Sequence, residues 1–303
     1  MRPTFSRLLT QAARQDERVM LLTGDHGYAL FDQYRASCPE RYINCGVAEQ
    51  NMVGVAAGLA KGGFRPIVYG LSSFVPMRVL EQIKMDICYE SLPVILIGDG
   101  AGVVYSTLGA SHQCAEDVAA LRAVPHIDIH SPADRFELEY CFSSMLRTSR
   151  PSYLRFGKAD CGDVHAKTPE VPLGDLIQVR QGASAVGIVA AGSMVSRAVK
   201  VSDAIGGIPV WSVPSIAPFN RAQLLEASRS LRHVITIEEH SVAGGLGSVV
   251  AEIIAEAGAG CRVRRVGIEH RFSELCGSYD YLLSYHGLAT EDIRRVVEAA
   301  LAE

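Results

Sequence analysis

The chain has 303 residues, enough for about two domains with ample core. Hydrophobic residues make up 48% and charged residues 20%, and the net charge of −4 leaves no electrostatic case for nucleic acid or an anionic membrane. The start, MRPTFSRLLTQAARQDERVM, has no apolar core of signal-peptide length, and no uncharged apolar run reaches the ~18 residues of a membrane helix. Eight cysteines are scattered without a C-x-x-C pair, which fits reduced thiols in a cytoplasmic protein better than a disulfide frame or a zinc site.

Short apolar runs alternate with helical patterns. VMLLTG (19–24), PIVYGL (66–71), PVILIGDG (93–100), HIDIHS (126–131) and SYLRFG (152–157) read as buried strands. Helices fit between them at about 47–61, 76–90, 115–123 and 133–147. SPAD (131–134) predicts a helix start, with Ser131 as N-cap, Pro132 at the first helical position and Asp134 in the first turn. Residues 161–183 are rich in Gly, Pro and charge and read as a linker. A second unit follows: strands at AVGIVAAG, IPVWSV, HVITIEEH and CRVRRVGI, helices at SRAVKVSDAI and GLGSVVAEIIAEAG, and a last helix from about Thr290. The alternation predicts two parallel-sheet α/β domains, over 1–160 and 184–303.

Within the predicted helix 47–61, Glu49 is the one acid. Met52, Val53, Ala56 and Ala60 share its face, and nearly every face is apolar, the pattern of a buried helix. A lone carboxylate there is either a half-solvated acid near a helix N-terminus or a buried acid with a partner. IGDGAG (97–102) follows a strand but misses the G-x-G-x-x-G spacing, so Asp99 reads as a turn residue. LTGDHG (22–27) places Asp25 and His26 after the first strand, and YSTLGASHQ (105–113) places His112 on a loop at the ligand-binding end of a parallel sheet. Each fits a ligand group or an ordinary loop residue. EEHSVAGGLG (238–247) fits an anion site at a helix N-terminus or a glycine-permitted tight turn.

Taken in order, GVAEQNMVGVAAGLA, SSF, RVLEQIKMD, LPVILIGDGAG, LGASHQ, EDVAALRAVPH and SPAD resemble the pyrimidine-binding domain of transketolases, and EEHSVAGGLG resembles that family's C-terminal domain. The resemblance implies a thiamine diphosphate enzyme that moves a two-carbon ketol unit between sugars. It implies that Glu49 shares a proton with N1′ of the aminopyrimidine and that Phe74 stacks on that ring, the alternative being a core Phe. It places Asp25 and His26 near the cofactor across a dimer, and His112 on the donor carbonyl.

The diphosphate-binding G-D-G…N element of the family is not found: the chain's three asparagines, Asn44, Asn51 and Asn220, do not follow IGDGAG at its spacing. The chain therefore resembles the C-terminal subunit of a split transketolase. A separate N-terminal subunit is expected to hold Mg2+ and the diphosphate, in an α2β2 heterotetramer. Two departures bear on substrate. Leu108 stands where the family has an aspartate, and Lys158 where it has a phosphate-binding arginine, whose bidentate fork a lysine lacks. Competing readings are a deoxyxylulose-phosphate synthase-like enzyme, a 2-oxoacid dehydrogenase β subunit, and a non-catalytic nucleotide-binding or scaffolding protein.

Overall fold

The computed structural model describes residues 1–157 and 161–303. The first half contains α1 (Arg2–Gln15), β1 (Val19–Thr23), α2 (Asp32–Ser37), β2 (Tyr42–Asn44), α3 (Glu49–Lys61), β3 (Arg65–Leu71), α4 (Leu80–Gln82), β4 (Ile95–Asp99), α5 (Asp117–Arg122), β5 (Asp128–His130), α6 (Arg135–Arg147) and β6 (Ser152–Phe156). The second contains β7 (Ile177–Arg180), β8 (Val186–Ala190), α7 (Met194–Ile205), β9 (Val210–Ser212), β10 (Ser215–Ala217), α8 (Arg221–Ser228), β11 (His233–Ser241), α9 (Leu246–Glu256), β12 (Arg262–Ile268), α10 (Tyr279–Tyr285) and α11 (Thr290–Leu301).

Two α/β sheets result, as the alternating pattern predicts. The first has seven strands in the order β10-β5-β6-β4-β3-β1-β2, and the second five in the order β12-β11-β8-β9-β7. Pairing is parallel except at one edge of each, where β10 lies antiparallel to β5 and β7 antiparallel to β9. Strand β7 falls inside the stretch read as a linker. Strand β10 follows β9 in the chain yet pairs with the first sheet, Ser215 opposite His130. The two halves thus share a sheet edge.

Burial explains the layers. Strands β1 and β4 are buried along their whole length, as central parallel strands require. Helix α1 lays Phe5, Leu8, Leu9, Ala12 and Ala13 on one side of the first sheet, at spacings of three and four. Helix α3 covers the other side with Met52, Val53, Ala56 and Ala60, and that core continues into Leu246, Val250 and Ile253 of α9. One side of α3 differs from the all-buried expectation: Gln50, Asn51, Gly54 and Gly58 are exposed.

Two local expectations are corrected. The N-cap of α6 is Asp134, not Ser131: its Oδ1 accepts from the backbone N–H of Phe136 and of Glu137, each at 2.9 Å. The helix expected over 76–90 is a short 3₁₀ turn at 77–79, one turn of α4, and a π-helical turn at 83–88. All eight cysteines are free thiols. Among the described residues, no helix is long and apolar enough to cross a membrane, and no group of three or more His, Cys, Asp or Glu could hold a metal ion.

Candidate active site

Four segments meet at the carboxyl edge of the first sheet, where open α/β sheets bind ligands: the turns after β1, β3 and β4, and the start of α3. The turn after β1 is tight. Asp25 sits at φ 61°, and its backbone N–H donates to Asn44 Oδ1 at 3.0 Å while Asn44 Nδ2 donates to Asp25 Oδ1 at 3.1 Å. Gly27 at φ 73° lies against Phe31, whose ring would stand 2.3 Å from an added Cβ. This geometry sets the His26 ring beside Phe74, centroids 6.1 Å apart and planes 29° apart. Asp25 itself is exposed.

Glu49 is the first residue of α3, where the helix dipole favours an anion. It is also 2% exposed. Its position is that of a helix-end acid, and its burial is that of a carboxylate with a partner. The partner is Arg78, whose Nη1 donates to Oε2 at 2.8 Å. The other oxygen, Oε1, is buried with no hydrogen-bond partner.

Phe74 opens the turn after β3, its N–H donating to Leu71 O at 2.8 Å. It is half-buried, so it is not a simple core side chain. The Arg78 guanidinium, one helical turn on, lies 4.1 Å from its ring centroid. The His112 ring meets it edge-on, centroids 5.6 Å apart, and Tyr105 stands 6.5 Å beyond His112. Glu49, His26, Phe74 and His112 therefore form one cluster, joined by Arg78 and Tyr105. Lys158 lies outside the described residues.

Burial pushes the His26 imidazole below its ordinary pKa, against the pull of Glu49 and Asp25, so its neutral form is favoured at pH 7. Its Nε2 is buried without a partner. The cluster thus presents one unpaired carboxylate oxygen, one unpaired imidazole nitrogen and an aromatic face. These are the groups that a planar, nitrogen-rich heterocycle satisfies, and they fit an aminopyrimidine.

Asp99 proves to be no turn residue. It ends β4 fully buried, accepts from Tyr69 Oη at 2.7 Å, and lies 3.3 Å from Arg2 Nε. The glycine turn after it is filled: Gly100, at φ 78°, would place a Cβ 2.0 Å from the Tyr105 ring. This removes the basis of the nucleotide-binding reading. The EEHSVAGGLG segment closes on itself as well. The Glu238 carboxylate accepts from the N–H of Leu246 at 2.7 Å and of Gly247 at 2.8 Å, so the chain supplies its own anion at the start of α9. Burial pushes Glu238 up to about 7 despite those two donors.

Sequence reasoning passed over Arg78, although it stands in the quoted RVLEQIKMD. Its spacing of four from Phe74 on a helical turn was the available signal. Glu239 was missed too. Fully enclosed, it accepts from Val103 N–H at 2.9 Å and Tyr279 Oη at 2.6 Å, and so ties the loop bearing His112 to the second half.

Residues 1–162 match the transketolase pyrimidine-binding domain, and residues 175–293 the transketolase C-terminal domain. The chain is 32% identical over 302 residues to the 6-deoxy-6-sulfo-D-fructose transketolase subunit SqwH of Clostridium sp. (strain MSTE9), spanning 97% of this chain and 92% of that one. It is 33% identical over 268 residues to an apulose-4-phosphate transketolase subunit of Actinobacillus succinogenes, spanning 87% of this chain and 85% of that one. A solved structure described as "Split gene transketolase, inactive beta4 tetramer" aligns with a TM-score of 0.91 at 31% identity, covering 99% of this chain and 98% of that one.

Proposed function

The chain belongs to the transketolase family, as the C-terminal type of subunit of a split enzyme, and from that premise we propose that Glu49, Phe74 and His26 form the pyrimidine half of its thiamine diphosphate site. Thiamine diphosphate supplies the family's chemistry, a nucleophilic carbon that also serves as electron sink. This chain's residues hold and tune it. Glu49 Oε1 shares a proton with a ring nitrogen, and the Phe74 face packs against the ring. His26, neutral, offers Nε2 to an exocyclic group. His112, edge-on to Phe74, hydrogen-bonds the donor carbonyl oxygen as charge develops there. Asp25 holds the His26 turn through Asn44 and stands at the exposed rim, toward a neighbouring chain.

The observation that carries this reading is the Glu49 carboxylate, buried with one oxygen paired and the other free beside an aromatic face. Arg78 strengthens it. A guanidinium is planar, donates N–H to Glu49 and stacks on Phe74, the same three properties an aminopyrimidine would use there.

Mg2+ and the diphosphate fall to a separate N-terminal subunit with the G-D-G…N element, in an α2β2 assembly. The relatives being named as subunits supports this, as does a similar chain whose β-only tetramer is described as inactive. The donor is a ketose other than xylulose 5-phosphate, because Leu108 leaves a donor hydroxyl without its acidic partner and Lys158 gives a phosphate no forked contact.

The test is Glu49→Gln in the assembled enzyme. Gln keeps the shape but cannot share the proton. Two-carbon transfer should fall about 10²–10⁴-fold with assembly intact, the scale of a positioned acid–base group. Activity within a few-fold of wild type would make Glu49 a helix-end residue only.

A further inference from the structure

Beyond the thiamine chemistry, a cavity of about 310 Å³ lies between the loop bearing His112 and the carboxyl ends of β11 and β12, whose last residues, Ser241 and Ile268, line it. Open α/β sheets bind ligands at this edge, and the volume is that of a small-molecule pocket. Most of its wall is apolar: Val103 and Ala110 from the loop, Ile268 and Phe272 from the second half.

Two polar side chains on the wall are more than nine-tenths buried, Gln113 at 9% exposure and His286 at 5%. Ser273 bridges them, its Oγ 2.6 Å from Gln113 Oε1 and 2.8 Å from His286 Nε2. The hydroxyl has one hydrogen. Spent on Gln113 Oε1, it leaves the oxygen to accept from Nε2–H of His286. That fixes the tautomer and leaves Nδ1 as an acceptor. Gln113 Nε2 and His286 Nδ1 are both buried without a partner. These two lining side chains therefore carry one orphaned donor and one orphaned acceptor, held on either side of a single hydroxyl.

The charged groups of the lining, Glu116, Glu269 and Arg271, are engaged within the chain: Glu116 accepts from Ala115 N–H at 2.6 Å. Arg271 donates to Tyr285 O at 2.7 Å and lies 3.9 Å from Glu269, so it is already engaged and does not mark an anion site. An uncharged ligand is favoured.

We propose that this cavity is a second binding site, separate from the Glu49 cluster, for a small uncharged planar molecule that presents an acceptor beside a donor, the edge of an amide, lactam or amidine. The acceptor takes Gln113 Nε2–H, the donor serves His286 Nδ1, and the ring fills the apolar wall. Since Gln113 follows His112 in the chain, occupancy would also steady the loop of the catalytic cluster.

Nicotinamide and adenine are the probes, one an amide and the other an amidine. Binding to the full chain is followed by calorimetry and by saturation-transfer NMR, first without thiamine diphosphate. At least one probe should bind saturably with Kd of about 1 mM or tighter. Gln113→Leu should weaken it about tenfold or more. Ala110→Phe, which fills the cavity from the loop side and leaves the Gln113–Ser273–His286 chain in place, should abolish it. Thermal melts establish that each variant is folded, and if Gln113→Leu is not, Ala110→Phe decides alone. No saturable binding of either probe up to about 10 mM overturns the proposal. So does binding that survives Ala110→Phe, which would put the probe elsewhere.

Discussion

The Glu49–Arg78 pair should respond unequally to loss of its two partners. The side chains differ in exposure, 1% for Glu49 and 44% for Arg78. Arg78→Met strands a buried carboxylate. Breaking a deeply buried pair in this way costs about 3–5 kcal/mol. Here the pair opens to solvent on the arginine side, and the N-terminal dipole of α3 returns about 0.3–1 kcal/mol to the anion, so a loss of about 1–3 kcal/mol is expected. Glu49→Gln leaves a guanidinium that simply hydrates, and stability should stay within about 0.5 kcal/mol of wild type. The double variant should match Glu49→Gln alone, which gives a coupling of about 1–3 kcal/mol. Urea unfolding of the purified chain measures all four corners, read from midpoints at constant slope. Equal losses from the two single changes, or a neutral Arg78→Met, would refute the view of Glu49 as a buried carboxylate held from outside.

Three further outcomes are expected. The chain purified alone, given thiamine diphosphate and Mg2+, should show no two-carbon transfer, and robust turnover would sink the split-subunit reading. Leu108 is 52% exposed, so Leu108→Asp should fold normally. With the partner subunit present, it should raise kcat/KM for xylulose 5-phosphate by roughly 5- to 150-fold, the equivalent of about 1–3 kcal/mol; a wild type already near ~10⁴ M⁻¹s⁻¹ with that ketose contradicts the argument. His130 is fully buried on β5 opposite Ser215, and burial pulls its pKa from 6.5 down to about 4. The folded state therefore resists protonation, so this contribution is present above pH ~6.5 and lost as pH falls toward ~4. At 1.36 kcal/mol per unit the change is at most about 3.4 kcal/mol. His130→Leu should flatten the stability–pH curve in that window, and an unchanged curve would locate the acid sensitivity elsewhere.

Much of the fold was legible because parallel strands buried on both faces are continuous apolar runs, and β1, β3 and β4 are such runs. Glu49 was legible for the same reason: a lone charge in an apolar helix must be explained. What the pattern hid was mostly non-local. Strand β10 is three residues long and exists through pairing with β5 of the other half. Asp99 sits in a glycine-rich turn motif, yet its burial depends on Arg2 and Tyr69. The cap on α9 comes from Glu238, at the far end of a strand and turn, whereas the usual N-cap pattern looks one to three residues back. The Asp134 cap is different. Ser131 and Asp134 are both good caps by type, and the extended conformation of Asp134 decided between them.

The same distinction bears on specificity. Tyr105, Leu108 and His112 lie in one loop, whose base is pinned where Gly102 and Cys114 exchange backbone hydrogen bonds at 2.7 and 2.9 Å. Above that base the loop is held by the second half: Glu239 takes the N–H of Val103, Ser273 donates to Gln113, and Gly277 N–H reaches Ser106 O at 3.3 Å. Glu239 is costly to bury: Ser193 and Tyr279 of its own half donate to it, and Val103 N–H from the first half completes the set only when both halves are docked. A local motif can therefore name the chemistry while the position of its groups depends on residues far along the chain. Substitutions at Glu239 or Ser273, which touch none of the proposed reacting atoms, should alter the choice of donor before they alter the ability to transfer a two-carbon unit. Their effects belong with Leu108 and His112, and the Glu49–Arg78–Phe74 cluster, built from α3 and the turn after β3, should be insensitive to them.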